Sequence, residues 1–114
     1  MSALEVQLYL HSIGEEYVQE FIFDELKLSG KRRQFRADFK IWGYKILIEF
    51  EGGVWNNGGH VRPKMYAFNA EKYNLAALNG YIVLRYTSIN LKEGFDIIKR
   101  DIAIAKKVLD ERNI

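Results

Sequence analysis

Residues 34–53 read QFRADFKIWGYKILIEFEGG, and the alternation in this stretch predicts two adjacent strands joined by a short turn at Gly43. In the first half, Phe35, Ala37 and Phe39 fall on one face, while Gln34, Arg36 and Asp38 fall on the other, the period-2 pattern of a half-buried strand. In the second half, Ile46, Ile48 and Phe50 oppose Lys45, Leu47 and Glu49, and the polar parity continues to Glu51. Glu49 and Glu51 then lie about 6–7 Å apart along the strand, twice the rise of ~3.3 Å per residue. Three carboxylates on two neighbouring strands disfavour one another's ionisation unless a cation is present. A hard divalent ion held by Asp38, Glu49 and Glu51 removes that conflict, and oxygen-only ligands with open positions suit Mg²⁺ or Mn²⁺.

The flanking sequence extends the pattern. Gly52-Gly53 and the following segment VWNNGGHVRPK together hold four glycines from Gly52 to Gly59 and the sole proline, Pro63. An irregular connection of this length in a small domain is usually functional. Trp55 within it has a flat face that can stack on a base, or it can tuck back on the core. His60 and Arg62 are alternate residues able to face the same way. From Lys64 to Asn79, Met65, Phe68, Leu75 and Leu78 recur at helical intervals, with Glu71, Lys72 and Asn74 on the other side and Gly80 at the expected stop. YIVLRYT, residues 81–87, then alternates Ile82, Leu84 and Tyr86 against Tyr81, Val83 and Arg85. A strand, a helix and a second strand form a crossover unit, which predicts parallel pairing in one sheet.

An acid ending one strand, E-x-acid within the next, a glycine pair, then GGHVR and AEKYNLAALNGYIVLRYT resemble the PD-(D/E)xK nuclease superfamily. The likeness is to its small phage and bacterial endonucleases akin to the very-short-patch-repair group, and it covers roughly Arg33 to Ser88. The resemblance implies an α/β (α+β) restriction-endonuclease-like core, a mixed sheet of three to four strands flanked by helices. It also implies a metal-dependent DNA endonuclease. Asp38 and Glu49 would be metal ligands, with the Phe50 carbonyl beside them. Glu51 stands where the family has lysine, so it would be a second-metal ligand or a general base. Lys72, on the following helix, or His60 would then take the electrostatic role. Ala37 replaces the motif's proline. A first-helix glutamate often leans toward the metal in this fold, which nominates Glu20.

The N-terminal region carries two capping-box patterns, Ser2-x-x-Glu5 and Ser12-x-x-Glu15. They predict a short helix, a break at Gly14 and a longer helix whose stripe is Tyr17, Val18, Phe21, Ile22, Glu25 and Leu26, stopping at Gly30. Lys31, Arg32, Arg33 and Arg36 place four cations in six residues beside the acidic strands, where they would draw in a polyanion. Arg62 and Lys64 would add to that surface. A short extra strand near Leu28 to Arg33 has room but a poor pattern. From Leu91 to Arg112, Phe95, Ile98, Ile102, Ala105, Val108 and Leu109 predict a closing helix, with Ile97 and Ile104 widening its apolar face into deeper core or a dimer surface.

The 114 residues suit one domain, residues 1–114, and 48% hydrophobic with 28% charged residues suit a globular protein. A net charge of +2 does not by itself announce nucleic acid, so a binding surface must come from clustering. The absence of cysteine excludes disulfides, thiolate metal sites and cysteine nucleophiles. No apolar run approaches the ~18 residues of a membrane span, and Met1 to Glu5 lacks a signal-peptide layout, so a cytoplasmic protein without a membrane partner is expected. So small a nuclease would work on DNA as a homodimer or within a larger DNA-processing complex. The competing class is a non-catalytic nucleic-acid-binding domain on the same fold, favoured if Glu51 breaks the metal site. A glycosidase using paired carboxylates lacks the aromatic platform for a sugar.

Overall fold

The computed structural model describes residues 3–23, 27–28, 31–32, 35–51 and 63–113. Its elements are α1 (Ala3–Ser12), β1 (Tyr17–Phe23), β2 (Lys27–Leu28), β3 (Lys31–Arg32), β4 (Phe35–Ile41), β5 (Ile46–Phe50), α2 (Pro63–Leu78), β6 (Ile82–Tyr86) and α3 (Asp96–Arg112). The protein is α+β, with a four-stranded mixed sheet in the order β1-β4-β5-β6 flanked by three helices. β1, β4 and β5 pair antiparallel, and β6 joins β5 in parallel through the α2 crossover. β2 and β3 form a separate two-stranded ribbon, so the chain does carry short strands in the Leu28 to Arg33 region.

Helices cover both faces of the sheet and make two cores. On one side, Val6 and Leu10 of α1 and Ile98, Ile102, Ala105 and Leu109 of α3 pack against Phe39, Ile41, Ile46, Ile48 and Tyr86. On the other, Leu75 and Ala76 of α2 pack against Phe35, Ala37, Leu47 and Tyr81. β5 is therefore buried on both sides from Ile46 to Glu49, as expected of a strand with helices above and below it. Each fully buried Ile, Leu or Phe here stabilises by about 1.5–3 kcal/mol through removal of apolar surface from water. α1 ends in a pair of bonds, Glu15 N–H to Leu10 C=O (3.0 Å) and Gly14 N–H to His11 C=O (3.1 Å). Gly14 has φ +76°, so its lack of Cβ permits this left-handed cap. Gly80 ends α2 in the same way, with φ +81°.

The segment after Gly14 corrects one expectation. Residues 17–23 form strand β1 rather than the second helix, pairing from Tyr17↔Ile41 to Phe23↔Phe35. In YVQEFIF the apolar pairs Tyr17-Val18 and Phe21-Ile22 straddle two polar residues, so both helical and strand periods fit. Aromatic and β-branched residues with a long β4 partner decide for the strand. Residues 24–26, 29 and 30, the rest of the expected helix and its stop, lie outside the described residues.

The β1–β4 ribbon also changes the side it buries. Tyr17 and Phe39 pack with α1 and α3, whereas Phe21, Phe23, Phe35 and Ala37, of the same parity, pack with α2. Glu20, left opposite Asp38 by the register, sits at this change and has φ +48°. It is the sole non-glycine residue with positive φ among those described, a conformation that re-aims a strand at a local energetic cost.

Candidate active site

The charges of Asp38 and Glu51 act on Glu49, which faces Lys72 on the α2 side of the sheet. Asp38 is half-buried on β4, and its Oδ2 accepts the backbone N–H of Phe50 at 2.8 Å. That bond ties β4 to β5 just beyond the ladder Phe39↔Ile48 and Lys40↔Leu47. Glu49 shares the parity of Leu47 and so faces α2, where Lys72 occupies the buried face together with Leu75 and Ala76. Both Glu49 and Lys72 are only 8% exposed, and the Lys72 ammonium meets Glu49 Oε1 directly. Lys72 thus sits on the core side of α2 rather than opposite it as expected. The expected stripe is off by part of a turn, since Phe68 is 43% exposed and leans on Phe35, and Leu78 is 69% exposed.

Glu51 follows the last residue of β5, with its N–H bonded to Tyr86 C=O at 2.7 Å. Its Oε1 accepts Arg85 Nε at 2.5 Å and the Tyr73 hydroxyl at 3.2 Å, and Arg85 Nη2 meets the same oxygen. The Arg85 guanidinium lies 4.1 Å from the centre of the Tyr73 ring. Neither Tyr73 nor Arg85 was nominated above. A signal for Arg85 was present in the parity of Tyr81, Val83 and Arg85, which with parallel pairing sets Arg85 beside Glu49. Tyr73 gave no signal of its own.

Burial pushes the Glu49 carboxyl above its usual range; Lys72 opposes that shift, and the charges of Asp38 and Glu51 reinforce it. Burial likewise raises the Tyr73 phenol, keeping it a neutral donor to Glu51. Among the described residues, these three carboxylates face two cations, Lys72 and Arg85. Among the described residues no three Asp, Glu or His side chains converge to hold a metal ion together. Glu51 Oε1 is engaged by Arg85 and Tyr73, Glu49 Oε1 by Lys72 and Asp38 Oδ2 by the Phe50 N–H. Asp38 and Glu49 are hard carboxylates of the kind that fit a divalent cation such as Mg²⁺ or Mn²⁺.

The remaining nominated residues do not join this cluster. Glu20 is on β1, not a helix, and its exposed carboxylate is 3.7 Å from Arg36 on the neighbouring strand. Arg36 is exposed and directed to that pair, and Lys64 is exposed in the first turn of α2. Arg32 lies in β3. Arg33, Trp55, His60 and Arg62 lie outside the described residues. No helix among those described is long and apolar enough to cross a membrane. Comparisons with protein-family models, with curated proteins and with solved structures return no match.

Proposed function

We propose that the chain is a metal-dependent DNA endonuclease with a restriction-endonuclease-like core, and that Asp38 and Glu49 hold a Mg²⁺ or Mn²⁺ ion. The buried Glu49–Lys72 pair beside Asp38 is the observation that carries this reading. A fully desolvated ion pair is weak as a stabilising device, because the desolvation of both charges offsets their attraction. A charged pair on a sheet face next to a second carboxylate has a ready explanation in catalysis. Lys72 also answers the question raised by Glu51, since it brings an ammonium to Glu49 from α2 when position 51 offers none.

Hydrolysis joins a water oxygen to phosphorus and breaks the bond from phosphorus to one sugar oxygen, which leaves with a proton. A bound divalent ion supplies acidity to water and neutralises charge on the phosphate. Lys72 Nζ stabilises negative charge on the attacking oxygen and opposes the rise that burial imposes on the Glu49 carboxyl. Asp38, fixed by the Phe50 N–H, would hold the ion together with Glu49. Glu51 positions Arg85 through its Oε1.

The reading is tested by incubating the chain with plain, nicked, flapped and four-way-junction DNA, with Mg²⁺, Mn²⁺ or chelator. Cleavage of at least one substrate is expected with metal and none with chelator. The Glu51–Arg85 contact favours a second reading, a nucleic-acid-binding domain without catalysis. Binding across the panel with no product under either metal would select it.

A further inference from the structure

We propose that Arg85 is a phosphate-binding residue, held over the Tyr73 ring and tethered by Glu51 so that its guanidinium receives a backbone phosphate of DNA beside Asp38 and Glu49. The inference rests on DNA as the ligand, but not on cleavage. A polyanion approaching three carboxylates is repelled unless a cation stands on its path. Of the two cations of the cluster, Lys72 has a side chain only 11% exposed and in contact with Glu49, so it is the inner one. Arg85 has a side chain 46% exposed and lies on β6, the edge strand of the sheet, so it is the one an incoming chain meets first.

Its surroundings fix its orientation rather than exhaust its donors. Nε and Nη2 converge on a single Glu51 oxygen, Oε1. That arrangement leaves the Nη1 end of the fork outside the pair, and the planar fork matches phosphate oxygens. Tyr73, with its ring centre 4.1 Å away and donating its own hydroxyl to Glu51, holds ring, guanidinium and carboxylate as one unit. A side chain already ordered loses less freedom when it binds. Glu51 and Tyr73 are in this account positioning residues.

The experiment measures anisotropy of a fluorescein-labelled duplex with Ca²⁺ present over a salt series, for wild type, Arg85→Ala and Arg85→Gln. Arg85→Gln keeps a hydrogen-bonding side chain for Glu51, so it reports even if Arg85→Ala fails to fold. Arg100→Gln, on α3 across the sheet, is the control and should match wild type. Loss of one phosphate contact should weaken binding at low salt several-fold and reduce the slope of log K against log salt by about 0.9. Wild-type affinity and slope in Arg85→Gln would overturn the inference, even if wild type cuts DNA. A wild type that binds here yet cuts no member of the DNA panel with Mg²⁺ or Mn²⁺ removes the nuclease reading and leaves the slope to judge Arg85. No duplex binding by wild type overturns the inference.

Discussion

Asp38→Ala and Glu49→Gln should each lower DNA cleavage by about a thousandfold or more, equivalent to about 4 kcal/mol of transition-state stabilisation. Each removes one of the two carboxylates that fit a divalent ion, and the amide at position 49 keeps the shape of the side chain while discarding its charge. Asp38→Ala also frees the Phe50 N–H, so its melting temperature must be compared with that of Asp38→Asn. Lys72→Ala should slow cleavage without abolishing it, because both carboxylates remain. Rates measured under single turnover on the best substrate check the series. Asp38→Asn cutting at the wild-type rate would remove Asp38 from the site.

Lys72→Met should destabilise the fold by about 3 kcal/mol at neutral pH, because it leaves the buried Glu49 carboxylate without its counter-ion. The loss should shrink as the pH is lowered, and the sign follows from the direction of the Glu49 shift. Burial raises its folded-state pKa above the ordinary 4.5 and Lys72 pulls it back, so the substitution raises it further. A carboxyl whose folded pKa lies above its unfolded value binds its proton more tightly when folded. The stability from that difference is fully present below about 4.5 and is lost as pH rises through the folded pKa. Wild type and Lys72→Met should therefore differ least at acidic pH and diverge toward neutrality. Urea unfolding at several pH values tests this, and a gap independent of pH would show that Glu49 is not the group left uncompensated.

Strong local periodicity made β4, β5, β6, α2 and α3 legible in the sequence, and the parity of β5 set Glu49 on the face of Leu47, but the single face read for Phe35, Ala37 and Phe39 does not hold, because Phe39 packs with α1 and α3 and the other two with α2. The element that failed did so where two periods competed. The pairs Tyr17-Val18 and Phe21-Ile22 satisfy a helix as well as a strand, and only the β4 pairing separates them. Lys72 was nominated by resemblance, but its burial was not foreseen, because a lysine on a helix is ordinarily solvated. Phe68 and Leu78 drew the predicted stripe away from the face of Lys72, Leu75 and Ala76 that meets the sheet. The Glu51–Arg85–Tyr73 contact depends on the parallel register Glu49↔Arg85 and on the rotation of α2. Neither is written in any one segment.

Whether Asp38 and Glu49 hold a divalent ion is tested without a substrate by calorimetric titration of Mg²⁺ and Mn²⁺ into wild type and Glu49→Gln. Wild type should bind at millimolar metal or below, with a matching rise in melting temperature by ligand linkage, and Glu49→Gln should lose both effects. Equal heats and equal melting shifts in the two proteins, or no binding of either ion by wild type at millimolar concentration, would contradict that assignment.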